Sequence, residues 1–211
     1  ETYQTEEQQV EAIKSFWDKH GNSVIAGIVI GIAGYVGINM YNENKLDSER
    51  ALSDKYEQIQ KIAAVNPDAY VDQGEKFINE NAGSSYSALT AFNLAKEAAA
   101  KSDWAKAESL LLQAVAKSPT AELKAIANER LARVQIQLEK YDEAISLLNS
   151  AFPESFKATV EEIKGDAYIR QGKPDLARTA YQAAAEASGE SPSASLQMKL
   201  DDLAEQINLN K

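Results

Sequence analysis

The chain has 211 residues, 44% hydrophobic and 26% charged, with 22 basic against 32 acidic side chains and a net charge of -10. That length holds one ordinary domain plus an appended segment, and five prolines and ten glycines leave few breaks in regular structure. The acidic balance argues against nucleic-acid binding, the lack of cysteine excludes disulfides and thiolate metal sites, and a single histidine, His20, excludes any site built on two imidazoles.

The chain opens on Glu1 rather than a methionine, and further residues are expected ahead of it. Residues 1–20 read as an amphipathic tail. Val10, Ile13, Phe16 and Trp17 fall on one helical face, and Gly21 reads as a stop signal. The face is expected to rest on the lipid interface; docking on a membrane partner is the rival reading. His20, beside Gly21, reads as a helix-end residue.

Residues 21–42 carry no formal charge, and Val24 to Tyr41 holds 13 apolar residues, four glycines and Asn39. As helix, this stretch rises about 33 Å, the thickness of a bilayer's hydrocarbon core. Its isoleucines and valines contribute roughly -3 kcal/mol to insertion, so a single uncleaved transmembrane helix is predicted. A cleaved signal peptide would have a short basic start, whereas twenty residues with five acidic and two lysine side chains come first. Gly27, Gly31 and Gly34 form a smooth strip against which another membrane helix could pack. Lys14 and Lys19 precede the span and Lys45, Arg50 and Lys55 follow it, which leans toward a cytoplasmic C-terminal side by one residue and does not decide orientation.

Residues 43–211 are helical in pattern throughout. Asp47 to Ala64 continues from the span, and Ala69 to Asn81 follows Asn66-Pro67-Asp68. Three later segments share a motif of alanine, a large apolar residue four on and alanine three further: Ala107, Leu111, Ala114; Ala144, Leu148, Ala151; Ala177, Tyr181, Ala184. The leading alanines are 37 and 33 residues apart, bracketing the 34-residue tetratricopeptide period. Twelve residues before each stands a small residue, Ala95, Ala132 or Gly165, where paired helices would cross closely. Residues 88–189 therefore resemble the tetratricopeptide repeats. The second copy departs after Ala151, where Phe152-Pro153 comes early and an irregular turn is expected. Ser191-Pro192-Ser193 starts a final helix, Ala194 to Asn208, whose Leu196, Leu200, Leu203 and Ile207 would cover the open end of the stack. The predicted fold is all-α, a single N-terminal transmembrane helix followed by a tetratricopeptide-like α-solenoid.

No glycine-rich phosphate loop, metal-ligand spacing or activated serine motif is present, so no catalysis, metal, cofactor or small-molecule substrate is expected. The acidic pairs Glu161-Glu162 and Asp201-Asp202 read as solvated faces. In a repeat stack the first helix of each pair lines the concave side, which makes Phe92, Lys96, Glu129, Arg133, Asp166 and Arg170 candidate protein-binding residues. Simple solvation with local salt links is the competing reading of the charged ones.

Gln9-Val10-Glu11-Ala12-Ile13-Lys14-Ser15-Phe16-Trp17 before a glycine-rich span, with Leu131-Ala132-Arg133-Val134-Gln135-Ile136-Gln137-Leu138 inside the repeats, resembles the YfgM family, ancillary subunits of the bacterial Sec translocon. The resemblance implies a single-pass inner-membrane protein with a cytoplasmic N-terminus and a periplasmic repeat domain. It implies association with SecYEG and with the periplasmic chaperone PpiD, and a role in helping newly translocated proteins fold. The alternative is a membrane-tethered repeat scaffold for another envelope complex, serving cell-wall or division machinery.

Overall fold

The structure, a computed structural model, describes residues 6–189 and 192–209. Every regular element among the described residues is helical. Contacts divide the chain into two units, Glu1–Lys55 and Tyr56–Lys211.

The described residues of the first unit lie within α1, Glu6–Ala63, a helix of 58 residues. Its most apolar window has mean hydropathy 1.9, and none of that window is buried, unlike the core helix of a soluble domain. It is long and apolar enough to cross a membrane. Gly21 does not stop the tail helix as expected: α1 runs through it without a break. One glycine inside a helix costs only about 1 kcal/mol, and no proline follows to end the hydrogen-bond ladder. Gly21 is instead a close-packing position, since a Cβ there would lie 3.3 Å from Trp17 Nε1. Val10, Ile13, Phe16 and Trp17 are exposed on the same continuous helix as the apolar stretch. Residues 1–5 of the predicted tail lie outside the described residues.

The second unit begins with the last two turns of α1, where Ile59 is buried and the Tyr56 ring lies 5.6 Å from that of Tyr86. Then come α2 (Pro67–Glu80), α3 (Ser85–Ala100), α4 (Trp104–Lys117), α5 (Ala121–Gln137), α6 (Tyr141–Leu148), α7 (Lys157–Arg170), α8 (Pro174–Ala187) and α9 (Ala194–Leu209). Short polar side chains start several of them: Asn66, Ser84, Asp103 and Thr120 each accept a hydrogen bond from the backbone N–H three residues on.

Helices α3/α4, α5/α6 and α7/α8 form three pairs, and their turns are built alike. The N–H of Asp103, Lys140 and Lys173 donates to the carbonyl five residues back, on Ala98, Gln135 and Tyr168, at 2.8, 2.8 and 2.9 Å. The residue before each, Ser102, Glu139 or Gly172, is left-handed, with φ of 60°, 60° and 71°. These turn residues are 37 and 33 apart, the spacing of the motif alanines. Within each pair a small residue and a large one sixteen positions on are brought together: Ala95 and Leu111 line one groove, Ala132 and Leu148 share one core cluster, and a Cβ at Gly165 would collide with the Tyr181 ring. All but Gly165 bury to 3% exposure or less, and Gly165 is buried too.

The second pair is irregular where Phe152-Pro153 predicts it. Helix α6 has only 8 residues, and a 3-10 turn at Glu154–Phe156 precedes α7. Phe152 and Phe156 pack against the cluster of Ala132, Leu148, Val160 and Ile163. Helix α9 buries Leu196 and Leu203 against Ala177, Tyr181 and Ala184, with Leu200 alongside. Ile207, expected on that face, lies outside the described side chains, and Ser191 outside the described residues.

Candidate partner-docking face

Helices α3, α5 and α7, the first of each pair, are neighbours in the stack and leave two grooves between them. The α3/α5 groove encloses about 440 Å³ and is lined by Phe92, Lys96, Arg130 and Arg133 over Ala95, Ala99, Leu111 and Val134. The α5/α7 groove, about 320 Å³, is lined by Arg133, Ile136, Asp166, Arg170, Tyr181 and Lys199, among others. Arg133 belongs to both.

Five of the six predicted face residues thus line one groove or the other, and each holds a distinct position. Phe92 is floor rather than rim: it is 4% exposed, and the Arg130 guanidinium carbon sits 4.5 Å from its ring centroid. Lys96 is exposed, and the Arg133 side chain is half exposed. Glu129 lines neither groove and lies 3.8 Å from Arg133. Burial pushes the Glu129 carboxyl above its ordinary range, against the pull of Arg133 and Arg130.

The third pair is out of step with the predicted pattern. Counted back from the left-handed turn residue, Lys96, Arg133 and Asp166 are equivalent, each six positions before it, while Arg170 stands one helical turn later. The equivalent of Phe92 and Glu129 is Glu162. The 33-residue spacing of the third repeat, four shorter than the second, produces the slip.

Asp166 is also committed within the domain. It accepts hydrogen bonds from the Tyr181 hydroxyl at 2.8 Å and from Lys199 Nζ at 2.6 Å, and Lys199 donates to Glu162 at 2.7 Å. Burial alone would lower the Lys199 pKa, but its hydrogen bonds with Asp166 and Glu162 outweigh that and hold it above the ordinary lysine value. Burial, then the hydrogen bond to Asp166, pushes the Tyr181 hydroxyl up. Glu161 pairs with Lys164 at 2.8 Å, so the Glu161-Glu162 pair is tied into ion pairs and is not simply solvated. Sequence reasoning missed Arg130 and Lys199. Arg130 is one of several charges on α5, and Lys199 reaches α7 from a helix outside the repeat, so neither stands out in a period search.

On α1, a Cβ added at Gly27, Gly31 or Gly34 would meet nothing within 4 Å. Among the described residues no group of three or more His, Asp or Glu side chains is placed to hold a metal ion.

Residues 14–205 match the family model described as a tetratricopeptide repeat-like domain. The chain is 33% identical over 207 residues to the ancillary SecYEG translocon subunit of Escherichia coli K12, covering 97% of this chain and 99% of that one. Proteins of the same name from Aggregatibacter actinomycetemcomitans and Haemophilus influenzae are 31% and 28% identical, each match covering 94% of this chain and 97% of the relative. Among solved structures, a MamA RS-1 double mutant superposes with a TM-score of 0.55 at 15% identity, covering 74% of this chain and 86% of that one. The Sgt2 tetratricopeptide domain of Aspergillus fumigatus gives 0.51 at 18%, covering 60% and 82%. These structural likenesses concern the fold, a tetratricopeptide-like helical repeat.

Proposed function

This chain belongs to the family of ancillary SecYEG translocon subunits, and from that premise we propose that it is a non-enzymatic, membrane-anchored adaptor of the Sec translocon. Residues 1–20 form the N-terminal segment, 21–42 the membrane span and 43–211 the repeat domain. The N-terminus is cytoplasmic and the repeats face the periplasm of the inner membrane. There the domain holds a periplasmic chaperone, PpiD in the family, beside the channel exit, where newly translocated chains begin to fold.

The observation that carries this reading is the pairing of one unburied apolar helix with a stack whose first helices leave two adjoining grooves. An anchor without a docking face would hold nothing in place. A docking face without an anchor would not stay at the channel. Lys96, Arg133 and Arg170 present the face, Phe92 floors it, and Glu129 and Asp166 set its local charge. Gly27, Gly31 and Gly34 give a partner helix close approach within the bilayer.

The test is photocrosslinking in intact membranes from probes placed at Lys96, Arg133 and Arg170. Recovery of translocon components and a membrane-anchored chaperone is expected. Recovery of division or cell-wall proteins without them would replace the translocon role with that of another envelope scaffold. Protease protection in sealed spheroplasts checks orientation: the repeat domain should be digested there and protected in inverted vesicles.

A further inference from the structure

Resting on the reading of this face as the docking surface, we propose that the α3/α5 groove takes an acidic, extended peptide segment of the partner. Its carboxylates would meet Lys96, Arg130 and Arg133, and one apolar side chain would enter over Leu111 and Val134. The argument begins with the sign of the charge. In a chain of net charge -10, three cations line this one groove. Among the described residues, Lys96 and Arg130 form no ion pair, and the carboxylate that pulls on both Arg130 and Arg133 is Glu129, 3.8 Å from Arg133, so three cations face one carboxylate. Beside the next groove, Glu162 and Asp166 share Lys199, and with Arg170 the two carboxylates are matched in number by two cations, which leaves the positive excess between α3 and α5. Arg170 forms no ion pair among the described residues.

The floor adds a second requirement. Phe92, Ala95, Ala99, Leu111 and Val134 present apolar surface between the cations. A bare polyanion would leave that surface wet. An extended peptide alternates its side chains, so one residue can turn into the floor while its neighbours reach the rim. Arg130, already over the Phe92 ring, keeps N–H groups that can donate to a carboxylate.

The test uses the full chain in detergent micelles and short fluorescent peptides followed by anisotropy. One peptide alternates Glu and Asp around a central Leu, a second replaces every acid by its amide, and a third replaces Leu by Ser. The acidic peptide should bind, weaken about tenfold between low and physiological salt, and weaken about tenfold in Arg130→Gln/Arg133→Gln. The Ser peptide should bind more weakly, and Lys157→Gln/Lys173→Gln, away from the groove, should change nothing. Lys96→Gln provides a second variant should the double change disturb folding, which circular dichroism reports. Equal binding of the amide peptide, an undiminished affinity in both groove variants, or displacement by inorganic polyphosphate as effective as by the unlabelled peptide would overturn the proposal. Crosslinks to translocon proteins from this face with no preference for acidic peptide would sink this inference alone; an absence of crosslinks would sink the docking reading on which it rests.

Discussion

Tyr181 fills the space that a side chain at Gly165 would occupy: a Cβ on residue 165 would lie 2.2 Å from Tyr181 Cε1. The first two repeats solve the same crossing with Ala95 and Leu111, and with Ala132 and Leu148. A larger partner on one helix requires a smaller one on the other.

Gly165→Ala should therefore destabilise the domain by about 2 kcal/mol, the range for overpacking a core, because the buried ring has no free end to swing away. Gly165→Ala/Tyr181→Leu, which recreates the pair used by the other repeats, should be more stable than the two single losses predict by about 1 kcal/mol. Urea unfolding of the four proteins measures this. Simple additivity would show that the two positions do not share one space.

Ser102 and Glu139 occupy left-handed turn positions that Gly172 fills without steric penalty. Ser102→Gly and Glu139→Gly are each expected to raise stability by about 0.5 to 1 kcal/mol, and Gly172→Ala to lower it by a similar amount. Thermal melts read the sign, and a fall in both glycine variants would contradict the equivalence of the three turns.

Lys199 binds two carboxylates of α7 from α9, and Lys199→Met should cost about 1 to 2 kcal/mol, since it leaves Glu162 and Asp166 facing each other without a cation. The folded-state pKa of Lys199 is raised above the ordinary 10.5, so its contribution is fully present below about 10.5 and is lost as pH rises through the folded value. The urea midpoints of wild type and variant should converge only on the alkaline side. Convergence on the acid side of neutrality would mean that other groups dominate.

Glu129 is a carboxyl raised above its ordinary 4.5 by burial, so folding is favoured while it is protonated and loses that advantage as pH rises through the folded value. Glu129→Gln should raise the melting temperature at neutral pH by a small margin, and the gain should vanish as pH falls toward 4.5. A lowered melting temperature at neutral pH would show that the pairing with Arg133 outweighs desolvation.

The repeat was legible because the small residues and their large counterparts recur at fixed spacing, and close helix crossing demands that alternation whatever the rest of the sequence does. The break after Ala151 was legible for a related reason, since proline ends the pattern. Gly21 misled because glycine signals a helix end only when the residues beyond it have somewhere else to go. Here both flanks are strong helix and the chain continues. The candidate docking residues were legible only as positions. That Phe92 would lie beneath Arg130, and that Asp166 would be held by Lys199 from a helix outside the repeat, depends on side chains meeting across long stretches of chain, which periodicity does not encode.

Helix α9 gives the array a definite last member. With Leu196 and Leu203 seated on α8 and Lys199 fastened to α7, the apolar edge that a fourth repeat would have used is already taken. The edge of α8 is therefore not open to the first helix of another copy, as it would be in a stack left bare at its last pair.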